Sequence, residues 1–231
     1  MRLFSTTDRP LQARGDHGSV KETRTMKHNL LLIGRWHGIT RDQRNALRLS
    51  IDECGAGKLV FIITAADQKN TRRHPLSIAE RREVVSCLAE ELGREFEIYA
   101  VNDISDSTKW VEHICEAVRE QSNGNTVLDS GNTILVSANP EVQKWFVAIS
   151  FPSHSAQFDG AMPSDMLHAI RSRENWRKLA THSTLRLFNK FGVEKRVRDL
   201  FSEVLVTEDG ELSTGRDFGV YGSGMDASAK Q

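Results

Sequence analysis

Four short apolar runs, at 30–34, 59–64, 96–101 and 133–137, recur along this chain with amphipathic stretches between them. That alternation is the pattern of a parallel sheet wrapped by helices, and it predicts an α/β fold with helices on both faces of the sheet. A weaker strand is expected at 146–150. Helices are expected over 42–54, 78–92, 108–120 and 140–145, followed by a C-terminal helical segment at 164–170, 176–191 and 193–204. Ser77-Ile78-Ala79-Glu80 has the spacing of a capping box, which sets the start of the second helix, and Gly93 closes it.

At 231 residues the chain has room for one sizeable core with a small appendage. Lys and Arg number 31, as do Asp and Glu, so no global field points to nucleic acid or to a membrane surface. No apolar run approaches the roughly 18 residues needed to span a bilayer. Cys54, Cys87 and Cys115 form no C-x-x-C pair and each falls in an expected helix. Buried reduced thiols in a reducing compartment, the cytoplasm, are the plain reading. Residues 1–26 read as a flexible extension without a signal-peptide core, with Met26 an alternative start. Residues 27–205 form the expected domain, and the glycine-bearing 206–231 reads as a poorly ordered tail. The oligomeric state is left open, a homo-oligomer included.

The junction after the first apolar run holds most of the functional information. Leu32-Ile33-Gly34-Arg35-Trp36 is followed within a few residues by Thr40-Arg41-Asp42-Gln43 and a helix-compatible segment. A tight strand-to-helix turn of this kind aims backbone N–H groups and a helix dipole at a phosphate.

Four blocks resemble one family. Leu32-Ile33-Gly34-Arg35-Trp36 is similar to a first strand ending in G-R-[FM], and Arg73-His74-Pro75-Leu76-Ser77-Ile78-Ala79-Glu80-Arg81 to R-[ND]-P-F-T-x-G-E-R. Asp103-Ile104 with Trp110-Val111 resembles D-I-x(5)-W-V, and Ser137-Ala138-Asn139-Pro140 with Val142-Gln143 resembles S-G-N-P-x-V-Q. Asn175-Trp176 to Leu179 and Gly192-Val193-Glu194 echo D-W-x-x-L and G-V-E. In order and spacing over about 29–200 these resemble the nucleotidylyltransferase superfamily, and more narrowly the archaeal-type nicotinamide-nucleotide adenylyltransferases. The resemblance implies a Rossmann-like domain and adenylyl transfer from ATP to nicotinamide mononucleotide (NMN), giving NAD and pyrophosphate with a divalent metal such as Mg²⁺.

The same alignment exposes departures. The family's H-x-G-H, whose histidines stabilise charge on the transferred phosphate, here reads Thr40-Arg41-Asp42-Gln43. Glutamine offers a neutral donor where an imidazolium would give a charge-assisted bond, and a carboxylate at Asp42 repels a triphosphate unless bridged by metal or turned away. His37 stands at the place of a family glutamine, in contact with phosphate or as a solvated loop histidine. Near the C-terminus, an ungapped alignment on Trp176 puts Leu167 where the family's phosphate-binding arginine belongs, with Ser164 as N-cap. A rival register with a four-residue deletion restores the arginine as Arg171, one turn further along the same face.

The resemblance therefore carries over Gly34, Arg35, His37, Arg73, Asn139 and Arg171 as nucleotide-binding positions, Thr40, Asp42, Gln43 and Arg35 as catalytic ones, and Asp103 and Trp110 on the nicotinamide side. Each has a plainer alternative: Trp110 a core residue, Arg73 a solvated charge, Arg81 helix-face charge, Asn139 a helix cap before Pro140. Eight histidines lie scattered without metal-ligand spacing. Three functions follow: an adenylyltransferase with an altered phosphate site; an enzyme repurposed to cleave or modify an NAD- or NMN-like nucleotide, with Asp42 as the unusual acid; and a non-catalytic nucleotide binder.

Overall fold

The computed structural model describes residues 28–55 and 57–202, together with the short antiparallel strand pair Leu205–Val206 and Leu212–Ser213. The expectations for 1–26 and for most of 206–231 lie outside the described residues. Five parallel strands, β1 (Asn29–Gly34), β2 (Lys58–Ile63), β3 (Glu95–Ala100), β4 (Thr133–Ser137) and β5 (Ser153–Ser155), form one sheet in the order β3-β2-β1-β4-β5. The chain builds outward from β1 to β3, then crosses back to lay β4 on the other side of β1. That reversal makes a crevice at the carboxyl ends of β1 and β4, the usual seat of a ligand in such sheets.

The sheet is buried on both faces, which is why its central strands are continuously apolar. Leu30, Leu32, Leu59, Phe61 and Ile63 face one layer, with α1 (Arg41–Cys54), α2 (Ile78–Leu92), α5 (Pro163–Arg171), α6 (His182–Phe191) and α7 (Val193–Ser202). Leu31, Val60, Ile62 and Leu135 face the other, with α3 (Trp110–Gln121) and α4 (Pro140–Ala148). Helices on both faces of a parallel sheet are thus as expected.

Two elements differ from the expectation. No strand forms at 146–150; α4 continues to Ala148, burying Phe146 completely while Val147 and Ile149 stay exposed. The fifth strand is instead Ser153-His154-Ser155, a three-residue polar edge with no apolar run to betray it. The expected helix over 176–191 is broken. A single 3-10 turn at Trp176–Lys178 is followed by an extended stretch, and Thr181 caps α6 by accepting from the Thr184 N–H. The break lets 179–181 pair with the segment before α1: Arg41 N donates to the Leu179 carbonyl, and Thr181 N to that of Ile39. The three cysteines sit in α1, α2 and α3 as free thiols, half-buried rather than buried.

The second helix starts at its predicted capping box, with Ser77 Oγ accepting from Glu80 N and the Glu80 carboxylate accepting from Ser77 N. Glu80 also holds Arg196 of α7 through two bonds of 2.7 and 2.8 Å, and these bonds keep its carboxyl below the usual range against the opposing pull of burial. Its neighbour Arg81 is not helix-face charge. It is 0 % exposed and donates to the carbonyls of Thr64, Ala65 and Gln68 at 2.8, 2.9 and 3.1 Å. The guanidinium thereby ties α2 to the turn after β2, where Ala65 takes a left-handed conformation at φ +49°. Buried carbonyls stripped of their donor cost about 1–3 kcal/mol each. Arg81→Met is expected to destabilise the fold by about 3 kcal/mol or more in urea denaturation, whereas Arg119→Ala, on an exposed ion pair, changes it by less than about 0.5 kcal/mol.

Candidate functional site

A cleft of about 330 Å³ opens at the carboxyl ends of β1 and β4, at the low end of the range for small-ligand sites. Gly34, Arg35 and His37 from the end of β1, Gln43 and Leu47 from α1, Arg73, Asn139 after β4, and Phe158, Met162 and Leu167 around α5 all line it.

The β1–α1 turn is shaped by two unusual residues. Trp36 adopts φ +55°, donates its indole N–H to the Ile62 carbonyl at 2.8 Å, and packs edge-on to Phe61. Gly38 has φ +141°, and a Cβ there would lie 2.4 Å from the Met166 methyl and 2.8 Å from Phe188. Only glycine fits that approach. The turn therefore lies tight against α5 and α6, leaving Arg35 at the cleft.

Arg35 is half-buried, and its guanidinium is held below its ordinary value first by burial and then by Arg73, with Asp103 partly offsetting both. Among the described residues neither Arg35 nor Arg73 has a side-chain hydrogen bond or ion pair. Two interacting cations that line one cleft favour an anion there. Asp103 tunes Arg35 through space without lining the cleft.

The three replaced motif positions separate. Thr40 is fully buried. Its hydroxyl accepts from Gln43 N at 3.1 Å as the cap of α1 and donates to the Ala161 carbonyl at 2.6 Å. Asp42 accepts from Ala161 N at 2.9 Å. It presses so closely on the loop that a Cβ on Gly160 would lie 2.3 Å from its side-chain carbons. Neither Thr40 nor Asp42 lines the cleft; both clamp the loop that leads into α5. Gln43 alone faces the cleft, with a buried Oε1 lacking a partner among the described residues.

His37 is not a solvated loop histidine. It is 5 % exposed, and its Nε2 lies 3.2 Å from Nδ1 of His74, itself 6 % exposed. Burial, then Arg81, His74 and Arg35, hold His37 well below the ordinary histidine value. Burial, then Arg35, Arg81 and Arg73, bring His74 down to about 4, against a weak opposing pull from Asp67. Two neutral imidazoles therefore lie behind the arginines.

Asn139 caps α4 by accepting from Glu141 N and also lines the cleft. Leu167 lines the cleft and Arg171 does not. Arg171 ends α5, its guanidinium 4.8 Å from the centre of the Phe201 ring. The expected N-cap also moves: α5 starts at Pro163, with Met162 N bonded to Asp165, because proline is preorganised for the first helical position. Trp110 belongs to the interior. It is 4 % exposed, meets Trp145 edge-on at 5.3 Å, and sits with Val111, Ile114 and Val118 on the buried stripe of α3, away from the cleft. His74, Phe158 and Met162 were not singled out in the sequence, since each reaches the site from a loop whose position is set only by tertiary contacts.

Among the described residues no group of three or more His, Cys, Asp or Glu side chains converges. No helix among them is long and apolar enough to cross a membrane.

Fold and cleft together define a Rossmann-like α/β domain with a ligand crevice at the sheet's switch point. The same fold occurs in a crystal structure of a bifunctional NMN adenylyltransferase/ADP ribose pyrophosphatase from Francisella tularensis complexed with AMP and a manganese ion. The TM-score is 0.58 at 12 % identity, over 76 % of this chain and 52 % of that one. A second crystal structure of the bifunctional protein from that organism gives a TM-score of 0.55 at 13 % identity, over 75 % and 53 %. The chain thus spans about half the length of these structures, and at such identity the likeness is one of fold. No family model matches the sequence, and no curated protein matches it.

The buried imidazole pair makes stability pH-dependent. In the unfolded chain both rings take up protons below pH about 6.5; in the folded protein they resist. Stability is full above that pH and is lost as the pH falls toward about 4, where His74 itself protonates. His74 alone accounts for an expected loss of about 2 kcal/mol between pH 7 and 4.5, His37 adds to it, and the double variant His37→Gln, His74→Gln flattens the slope read from urea midpoints.

Proposed function

We propose that this chain is a nucleotide-binding protein built on the nucleotidylyltransferase-type fold, acting in the cytoplasm. A phosphate is received by Arg35 and Arg73, and the rest of a nicotinamide-type or related nucleotide lies in the cleft between β1 and β4. The observation that carries this reading is the pair of guanidiniums, Arg35 and Arg73, that line a mainly apolar crevice without a hydrogen-bond or ion-pair partner among the described residues. Gly34 brings the strand end close to the ligand, and Asn139 offers its side-chain amide to the base or sugar. Three free thiols fit a reducing compartment.

Retained adenylyl transfer is the second reading, favoured by Gln43, which shares the cleft with Arg35 and whose side-chain amide N–H can donate to a phosphate. In that chemistry an acceptor phosphate attacks the α-phosphate of ATP in line, and pyrophosphate leaves. Arg35 and Gln43 hold the developing charge by position alone. A Mg²⁺ ion would arrive on the nucleotide's phosphates and neutralise them there. The reading in which Asp42 acts as an acid is disfavoured, because its carboxylate is spent on Ala161 N and lies outside the cleft.

Calorimetric titration with AMP and NMN tests the first reading. Binding is expected, and Arg35→Ala or Arg73→Ala is expected to weaken it about tenfold or more, in line with charge-assisted hydrogen bonds of about 1.5–3 kcal/mol. Incubation at high protein concentration with ATP, Mg²⁺ and NMN is expected to yield no NAD. Formation of NAD above the protein-free control would establish the second reading instead.

A further inference from the structure

Resting on the nucleotide-binding reading, we infer that the cleft selects a nucleoside monophosphate and gives no seat to the outer phosphates of a triphosphate. Of the residues that line the cleft only Arg35 and Arg73 carry positive charge. The rest of the lining is mainly apolar, Leu47, Phe158, Met162 and Leu167 among it, with Gln43, Ser137, Asn139 and Ser164 as neutral polar groups. Outer phosphates held away from the two guanidiniums lose water and meet neutral groups but no further cation, at a cost of several kcal/mol for an unpaired ion.

One natural seat for phosphate, the N-terminus of α1, is closed by the chain itself. Arg41 N is taken by the Leu179 carbonyl and Gln43 N by the Thr40 hydroxyl. The backbone of Ala161 is held there from both sides, its carbonyl by Thr40 and its N–H by Asp42. Gly160 lies against the Asp42 side chain with no room for a Cβ, which would sit 2.3 Å from it. Asp42 also places a carboxylate in the first helical turn, where it offsets the positive end of the dipole and repels an incoming anion. With a volume of about 330 Å³ the cleft has little space beyond a single nucleotide.

The test uses the full chain in titrations with AMP, NMN and ATP, each with and without Mg²⁺ at matched ionic strength. A monophosphate is expected to bind at least tenfold more tightly than ATP under both conditions. ATP binding as tight as AMP, or tighter, overturns the inference while leaving the nucleotide-binding reading intact. No binding of any of the three overturns both. Leu167→Arg adds a third guanidinium to the lining and is expected to raise ATP affinity at least tenfold with AMP affinity within about twofold. A variant that melts cooperatively yet leaves ATP binding unchanged counts against the inference. If the variant fails to fold, the wild-type ratio of AMP to ATP affinity decides alone.

Discussion

Three separated parts of this chain converge on the side chain and backbone of one buried threonine. Thr40 caps α1 with its hydroxyl oxygen, spends the hydroxyl proton on Ala161, and pairs as an isolated bridge with Ala180. The direction of α1, the course of the loop into α5 and the break before α6 all follow from those contacts. A threonine hydroxyl suits this because it is donor and acceptor at once, and both capacities are used in a place closed to water. The position that the sequence resemblance assigns to phosphate chemistry has its hydroxyl committed to Ala161 and to the cap of α1.

Once α1 is capped in this way, the electrostatics of the crevice change owner. The dipole end that often receives phosphate is screened by Asp42 and by the chain's own backbone. What remains for an anion is Arg35 and Arg73, brought together at the strand end, with His37 and His74 behind them uncharged. Neutral imidazoles are the consistent choice beside three arginines: a fourth charge in that buried space would face repulsion and desolvation together. The site's positive potential is therefore carried by flexible side chains rather than by fixed backbone groups.

Residue pattern alone made some of this visible. The four apolar strands, the capping box at Ser77 and Glu80, and the helices on both faces are local or periodic signals, and each appears where it was expected. The polar edge strand at Ser153–Ser155 was hidden because an edge needs no apolar run. The assignments that changed were those in which one residue type serves two environments. Trp110 is equally at home on a ligand or in a core, and the buried stripe of α3 claims it. Arg81 reads as surface charge beside Glu80, yet the carbonyls after β2 supply four acceptors that only the fold assembles.

The order of short apolar runs and amphipathic stretches by itself determined a parallel sheet covered on both sides, because strand and helix periodicities are written residue by residue. It also placed a turn rich in phosphate-binding potential after the first strand. Only the tertiary structure decided which of that turn's groups are available. Thr40 and Asp42 are consumed by Ala161, Leu167 rather than Arg171 meets the cleft, and Arg35 and Arg73 have no partner among the described residues, because hydrogen-bond partners are drawn from segments more than a hundred residues away.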